Sequence, residues 1–263
     1  MTAHVSGYRS AADEARFPPL ITPIRLRERQ DAFREAERAA QEAGEAQAGA
    51  GSLFYVGRFE LIEFAIVLEP EEPLKFARKI FFAGMNALAD ALAVLSPPEK
   101  DIHFRYPGSL YFDGALVGGG RLAVPEGCGE DETPEWLVFG AMVRAGGMRE
   151  MGVGMSPEIT TLDDEGFEAW EPAGFSASFA RHFLVEVDSW HERGVSGIAP
   201  RYLSRLEKAR GQGAGQGSGR RGIDGNGDLM IHEAEGTPAR RVPFVEGLKK
   251  VEWFDPLLNE PRG

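Results

Sequence analysis

The segment 73–95 constrains this chain more than any other. Leu74, Ala77, Ile80, Phe81, Met85, Leu88, Leu92 and Leu95 recur at helical spacing and make one broad apolar stripe. Pro97 and Pro98 stop it, because proline lacks the donor a helix interior requires. A helix with such a face is stable only when other elements cover it, so the chain must build layers around this one. The stripe reads as core rather than as the lining of a cofactor site. With 263 residues the chain has room for one large domain and a small appendage.

On either side of the stripe the hydrophobic period shortens to that of strands. Residues 52–57 and 60–68 predict two of them, the second ending in an apolar run. Residues 103–106, 110–112 and 116–124 predict three more, broken by Pro107-Gly108 and by Asp113-Gly114. The Asp-Gly pair is a hairpin signal, because both residues tolerate positive φ. Residues 135–145 and 150–155 add two further strands. Helices are expected over 25–48, 176–194 and 200–209. A strand-rich first half with interspersed helices is an α+β pattern, not a repeating βαβ array. The expected organisation is a loose tail over 1–17, a main domain over 18–210, a Gly-rich linker over 211–219 and a small C-terminal β hairpin domain over 220–263.

Composition narrows the partners. The formal charge of −12 repels phosphate backbones, and the short basic runs at 201–210 and at Arg220-Arg221 read as a solvated helix face and a linker edge, so no nucleic-acid partner is expected. Cys128 is the single cysteine, which excludes an internal disulfide and suits a reducing compartment; it reads as an incidental thiol in an acidic loop. The first residues lack the apolar stretch of a signal peptide, and no apolar run reaches the ~18 residues of a membrane span. A cytoplasmic location with no membrane partner is expected. His103, His182, His191 and His232 are scattered without metal-ligand spacing. Asp224, Asn226 and Asp228 approach calcium-loop spacing, but Leu229 stands where that loop needs glycine, which favours a hairpin turn.

Four ordered segments resemble the biotin/lipoate protein ligases. Arg105-Tyr106-Pro107-Gly108-Ser109-Leu110, followed by Asp113-Gly114-Ala115-Leu116-Val117-Gly118-Gly119-Gly120, resembles their Lys/Arg-Trp-Pro-Asn-Asp-Leu and Gly-x-Lys-Val-Gly-Gly segment. Gly152-Val153-Gly154-Met155-Ser156 is similar to the later Gly-Ile-Gly-Ile-Asn strand, and Ile159-Thr160-Thr161-Leu162 to the Ala-Thr-Ser-Leu after it. Gly222-Ile223-Asp224-Gly225-Asn226-Gly227-Asp228-Leu229 is similar to the Gly-Ile-Asp-x-x-Gly-x-Leu hairpin of the C-terminal β domain. The chain looks closest to a group of ligase-like bacterial proteins.

The resemblance implies a class II synthetase-like fold, a mixed and mainly antiparallel sheet flanked by helices. It also implies ATP and biotin or lipoate as cofactors, and a biotinyl or lipoyl carrier protein as partner. Joining a carboxylate to ATP sets anion against anion, so such a site needs cations and backbone donors. Here Leu116 stands in the place of the ligase lysine, Gly108-Ser109 replaces Asn-Asp, Ser156 replaces the closing asparagine, and only Tyr55-Val56-Gly57-Arg58 stands where an arginine-rich loop belongs. These replacements point away from ordinary ATP-dependent ligation. Arg58, Arg105 and Arg121 remain as cations that either face the pocket or lie on the solvent side of their strands. Gly118, Gly119 and Gly120 mark either a strand bend or a close approach by a ligand. The expected ligand-binding set is Arg58, Arg105, Tyr106, Pro107, Gly118, Gly119, Gly120, Arg121 and Ser156, taking a small carboxylate or acyl ligand. An active ligase or acyltransferase and a non-catalytic scaffold are the alternatives. An open cavity above the glycines, as against one filled by Leu116, Tyr106 and Phe59, separates them.

Overall fold

The computed structural model describes residues 15–42, 48–98, 100–146, 158–207, 220–233 and 237–262. Among the described residues, one seven-stranded sheet contains β1 (Thr22–Leu26), β2 (Ser52–Val56), β3 (Leu61–Leu68), β4 (Ile102–Arg105), β5 (Ser109–Phe112), β6 (Ala115–Ala123) and β7 (Leu137–Arg144). Their spatial order is β1-β2-β3-β7-β6-β5-β4. The β1–β2 pair is parallel and the other pairs are antiparallel. The α+β reading therefore holds, with the strands close to where hydrophobic alternation puts them. The strand expected over 150–155, the site residue Ser156 and the Gly-rich 211–219 lie outside the described residues.

The helices expected over 176–194 and 200–209 start earlier, at Pro172–Arg193 and Val195–Ser204, and two others differ more. The helix expected over 25–48 is α1 (Ala32–Gln41), and the residues before it pair with β2 as an edge strand. Pro23 is tolerated at that edge, and Asp31 starts the helix by accepting a hydrogen bond from the Arg34 backbone N–H. The stripe at 73–95 is two helices, α2 (Leu74–Ala77) and α3 (Ile80–Ala93). At the break, Phe81 and Phe82 donate to the carbonyls of Arg78 and Lys79, a tighter turn than the α-helix makes. Next come α4 (Pro172–Arg193) and α5 (Val195–Ser204), separated by Gly194 at φ 59°. The expected hairpin is a three-stranded sheet of β8 (Arg220–Ile223), β9 (Leu229–His232) and β10 (Arg240–Val242), followed by α6 (Phe244–Lys250) and the short pair β11 (Phe254–Asp255) and β12 (Glu260–Pro261).

Strand alternation gives the sheet two unlike faces. Ile62, Phe64 and Ile66 of β3 point to a large core shared with α3, α4 and α5. Phe82 of that core stacks on Phe244 of α6, with ring centroids 4.6 Å apart. On the second face, Ala32, Ala36, Ala39 and Ala40 of α1 pack on Phe54, Val56, Ala65 and Val67, the small alanines letting the helix lie close. A third cluster, Leu61, Leu116, Met142, Trp253 and Phe254, covers the same face nearer its other end. The space between these two covers holds the candidate site.

Candidate functional site

Glu63 is the one charged residue of β3, and it is 3% exposed. Alternation sends it to the second face, between Ala65 and Leu61, where its partners are all polar groups from other segments. The Arg58 guanidinium donates to its Oε2 at 2.6 Å, and the Ala32 backbone N–H at the start of α1 donates to its Oε1 at 2.8 Å. Arg121 of β6 stands beside it and donates to Asp31 Oδ1 at 3.2 Å. The Arg121 guanidinium is held between two rings, 4.1 Å from the Phe33 centroid and 4.5 Å from that of Phe254. Burial raises the proton affinity of Glu63 despite the Ala32 donor and Arg58. Burial likewise lowers the pKa of Arg121, against the pull of Asp31 and Glu63. Arg58 Nε and Arg121 Nε are buried and donate to no described group.

The glycine run sits beside this network and is closed from within. An added Cβ at Gly119 would lie 2.5 Å from Trp253 Nε1 and would collide with the Gly108 carbonyl. Trp253 Nε1 donates to the Gly120 carbonyl at 3.1 Å, and Gly120 N–H donates to the Gly108 carbonyl at 2.8 Å. Gly118 lies against the Met142 backbone of β7, at a β5–β6 register shift. The close approach that the glycines signal is therefore made by the chain's own indole and backbone. Leu116 is buried in the Trp253 cluster, and Ile159 bridges to it, so the Ile159-Thr160 segment runs along β6 at this point. Of the other two expected fillers, Tyr106 packs inward on Phe82 and Phe244, while Phe59 stays 63% exposed.

A cavity of about 130 Å³ remains next to Trp253, lined by Tyr106, Pro107, Ser109 and Gly120 on one side and by Gly247 and Lys250 on the other. The Tyr106–Pro107 peptide is cis, and the Tyr106 hydroxyl donates to the Gly227 carbonyl at 2.6 Å. Arg105 points elsewhere: it pairs with Glu207 at 2.5 Å and stacks on Tyr111 at 4.0 Å. The expected set thus divides into three. Arg58 and Arg121 come together on Glu63 and Asp31; Tyr106, Pro107 and Gly120 line the small cavity; Arg105 stands apart at the β4–β5 end. Asp224 makes a turn by accepting from the Asn226 and Asp228 N–H groups, as the hairpin reading expects.

Sequence reasoning missed Glu63, Asp31, Phe33, Trp253 and Phe254. A signal existed for Glu63, a carboxylate in an otherwise apolar strand. None existed for Trp253, whose hydrogen bond to the Gly120 carbonyl depends on a chain return over 133 residues.

The biotin/lipoate A/B protein ligase family matches residues 17–204 of the chain. Among solved structures, a biotin protein ligase-like protein of unknown function from Silicibacter sp. TM1040 is 27% identical, with a TM-score of 0.71 over 89% of this chain and 99% of that one. The apo biotin protein ligase from Aquifex aeolicus is 15% identical, with a TM-score of 0.60 over 84% of this chain and 95% of that one. No match to a curated protein was found. No described helix is long and apolar enough to cross a membrane. The family model spans residues 17–204, well over half of the sequence, and the chain belongs to the biotin/lipoate A/B protein ligase family.

Proposed function

We propose that this chain binds a small carboxylate or acyl ligand, or the carrier protein bearing one, in the cavity beside Tyr106 and Gly120, and does not carry out ordinary ATP-dependent ligation. The observation that carries this reading is the burial of Leu116, at the position the family resemblance gives to a lysine, among Leu61, Met142, Trp253 and Phe254. An apolar cluster there offers nothing to a polyphosphate. The nearest buried cations are already engaged: Arg58 pairs with Glu63 and Arg121 with Asp31, while Arg34, the third guanidinium of the network, meets Asp31 from the exposed side. A cavity of about 130 Å³ takes a carboxylate or short acyl end but falls below the several hundred Å³ usual for a nucleotide-sized ligand.

Titration calorimetry with biotin, lipoate, octanoate and ATP tests the reading. Heat with one of the acids and none with ATP is expected. Pyrophosphate release on mixing acid with ATP would instead establish an active ligase using Arg58, Arg105 or Arg121. No heat with any of the four would leave a scaffold.

A further inference from the structure

We infer that a groove on the opposite side of the sheet, between the end of β3 and α4, binds a cationic amphiphile: an organic amine with an apolar body. The groove holds about 520 Å³, within the range of small-ligand sites. Its floor is fully apolar, formed by Ile66, Leu137 and Phe183, each about 1% exposed. At its lip Leu20 is left 74% exposed. Along the other lip run Glu69, Glu71 and Glu72; His191 also lines the groove, and no lysine or arginine is among the described residues lining it. Two of these carboxylates are held in place: Glu72 Oε1 accepts from Trp190 Nε1 at 2.8 Å, and Glu69 Oε1 from the Ala50 N–H at 3.2 Å. An apolar floor with three carboxylates on one lip, two of them held in place, selects an apolar body carrying positive charge, and repels a fatty acid of the same length. This site faces the helix layer, whereas the Glu63 network lies on the second face, so its failure leaves the carboxylate reading standing.

The test uses the full chain with decylammonium and decanoate, both below their micellar range, and follows the Trp190 indole N–H resonance, assigned through Trp190→Phe. Decylammonium is expected to shift it saturably, and decanoate is not. The triple variant E69Q/E71Q/E72Q keeps acceptor oxygens for Trp190 and Ala50 while removing the charge; it should weaken the amine at least tenfold. Raising the salt should weaken the wild type in the same direction, since exposed charges are screened. The inference is overturned if decanoate binds as well as the amine, if the amine leaves the resonance unmoved, or if the variant or added salt leaves affinity unchanged. Concentration-dependent broadening of the Trp190 signal without amine would assign the groove to a second copy of the chain and overturn it equally.

Discussion

Glu63 is a carboxyl group in a place that disfavours its charge, and that has a pH signature. Its proton affinity in the fold is raised, with burial the first cause. The folded chain then holds a proton that the unfolded chain has released. The stability this contributes is full below the ordinary glutamate value and is lost as pH rises through the folded value. The wild type should therefore lose stability relative to Glu63→Gln as pH rises above the ordinary glutamate value; denaturant titrations over a rising pH series that keep the two in parallel would refute it. Gly119 is sensitive for a steric reason. Gly119→Ala presses a methyl onto Trp253 and the Gly108 carbonyl and should cost about 1–3 kcal/mol. Gly225→Ala, which meets nothing within 4 Å, should change stability little under the same measurement. At this scale the sequence was half legible. Arg58 and Arg121 stand out as retained cations, but Asp31 lies 90 residues from Arg121, and although Glu63 is only five residues from Arg58, local pattern does not reveal a pairing set by strand alternation and a helix start. The three glycines do signal a close approach; that the approaching group is Trp253 depends on a long-range return of the chain.

Helices and strands are legible in proportion to how local their causes are. The strands at 52–56, 61–68 and 137–144 follow from apolar runs alone, because a strand buried on both faces needs apolar residues on both. The start of α4 depends on one side chain: Glu171 accepts from the Ala173 and Gly174 N–H groups at 3.1 and 2.8 Å, and Pro172 occupies the first turn, where its missing donor costs nothing. Apolar periodicity places that start four residues late, since the capping turn is not periodic. Glu171→Ala leaves those donors without their partner and should cost about 1 kcal/mol, with Glu171→Asp recovering part of it. Thermal melts of the two variants decide this, and equal losses in both would remove the capping argument. The break between α2 and α3 has a tertiary cause. Arg78 reaches Glu130 at 2.5 Å, and Lys79 reaches the Gly225 carbonyl at 2.7 Å, so neighbouring segments hold the tight turn that periodicity reads straight through.

On the scale of the whole molecule, the C-terminal segment is bound into the fold by groups that its hairpin signature does not mention. Phe244 is buried against Phe81, Phe82 and Tyr106. Its backbone N–H donates to Asp228 Oδ1 at 2.7 Å, which ties α6 to β9. Trp253 and Phe254 then close the second face over Gly119 and Arg121, and Arg144 of β7 donates to the carbonyls of Pro261 and Arg262. Removing the Phe244 ring should thus destabilise the sheet domain as well as the segment that carries it. Phe244→Ala is expected to cost about 3–5 kcal/mol, the usual range for a large aromatic deleted from a core. The wild type should unfold in one step, with far-ultraviolet ellipticity and tryptophan fluorescence changing together. A variant in which fluorescence moves at lower denaturant while the sheet signal persists would show the segment leaving first, as an appendage does. The coincidence of the two probes matters for the site because Trp253 is both a fluorophore and the cover of the glycine strand. If the segment departs alone, the second face opens over Gly119 and Leu116, and ligand binding there becomes a property of that opening; if it does not, the ligand must fit the small cavity that Trp253 leaves.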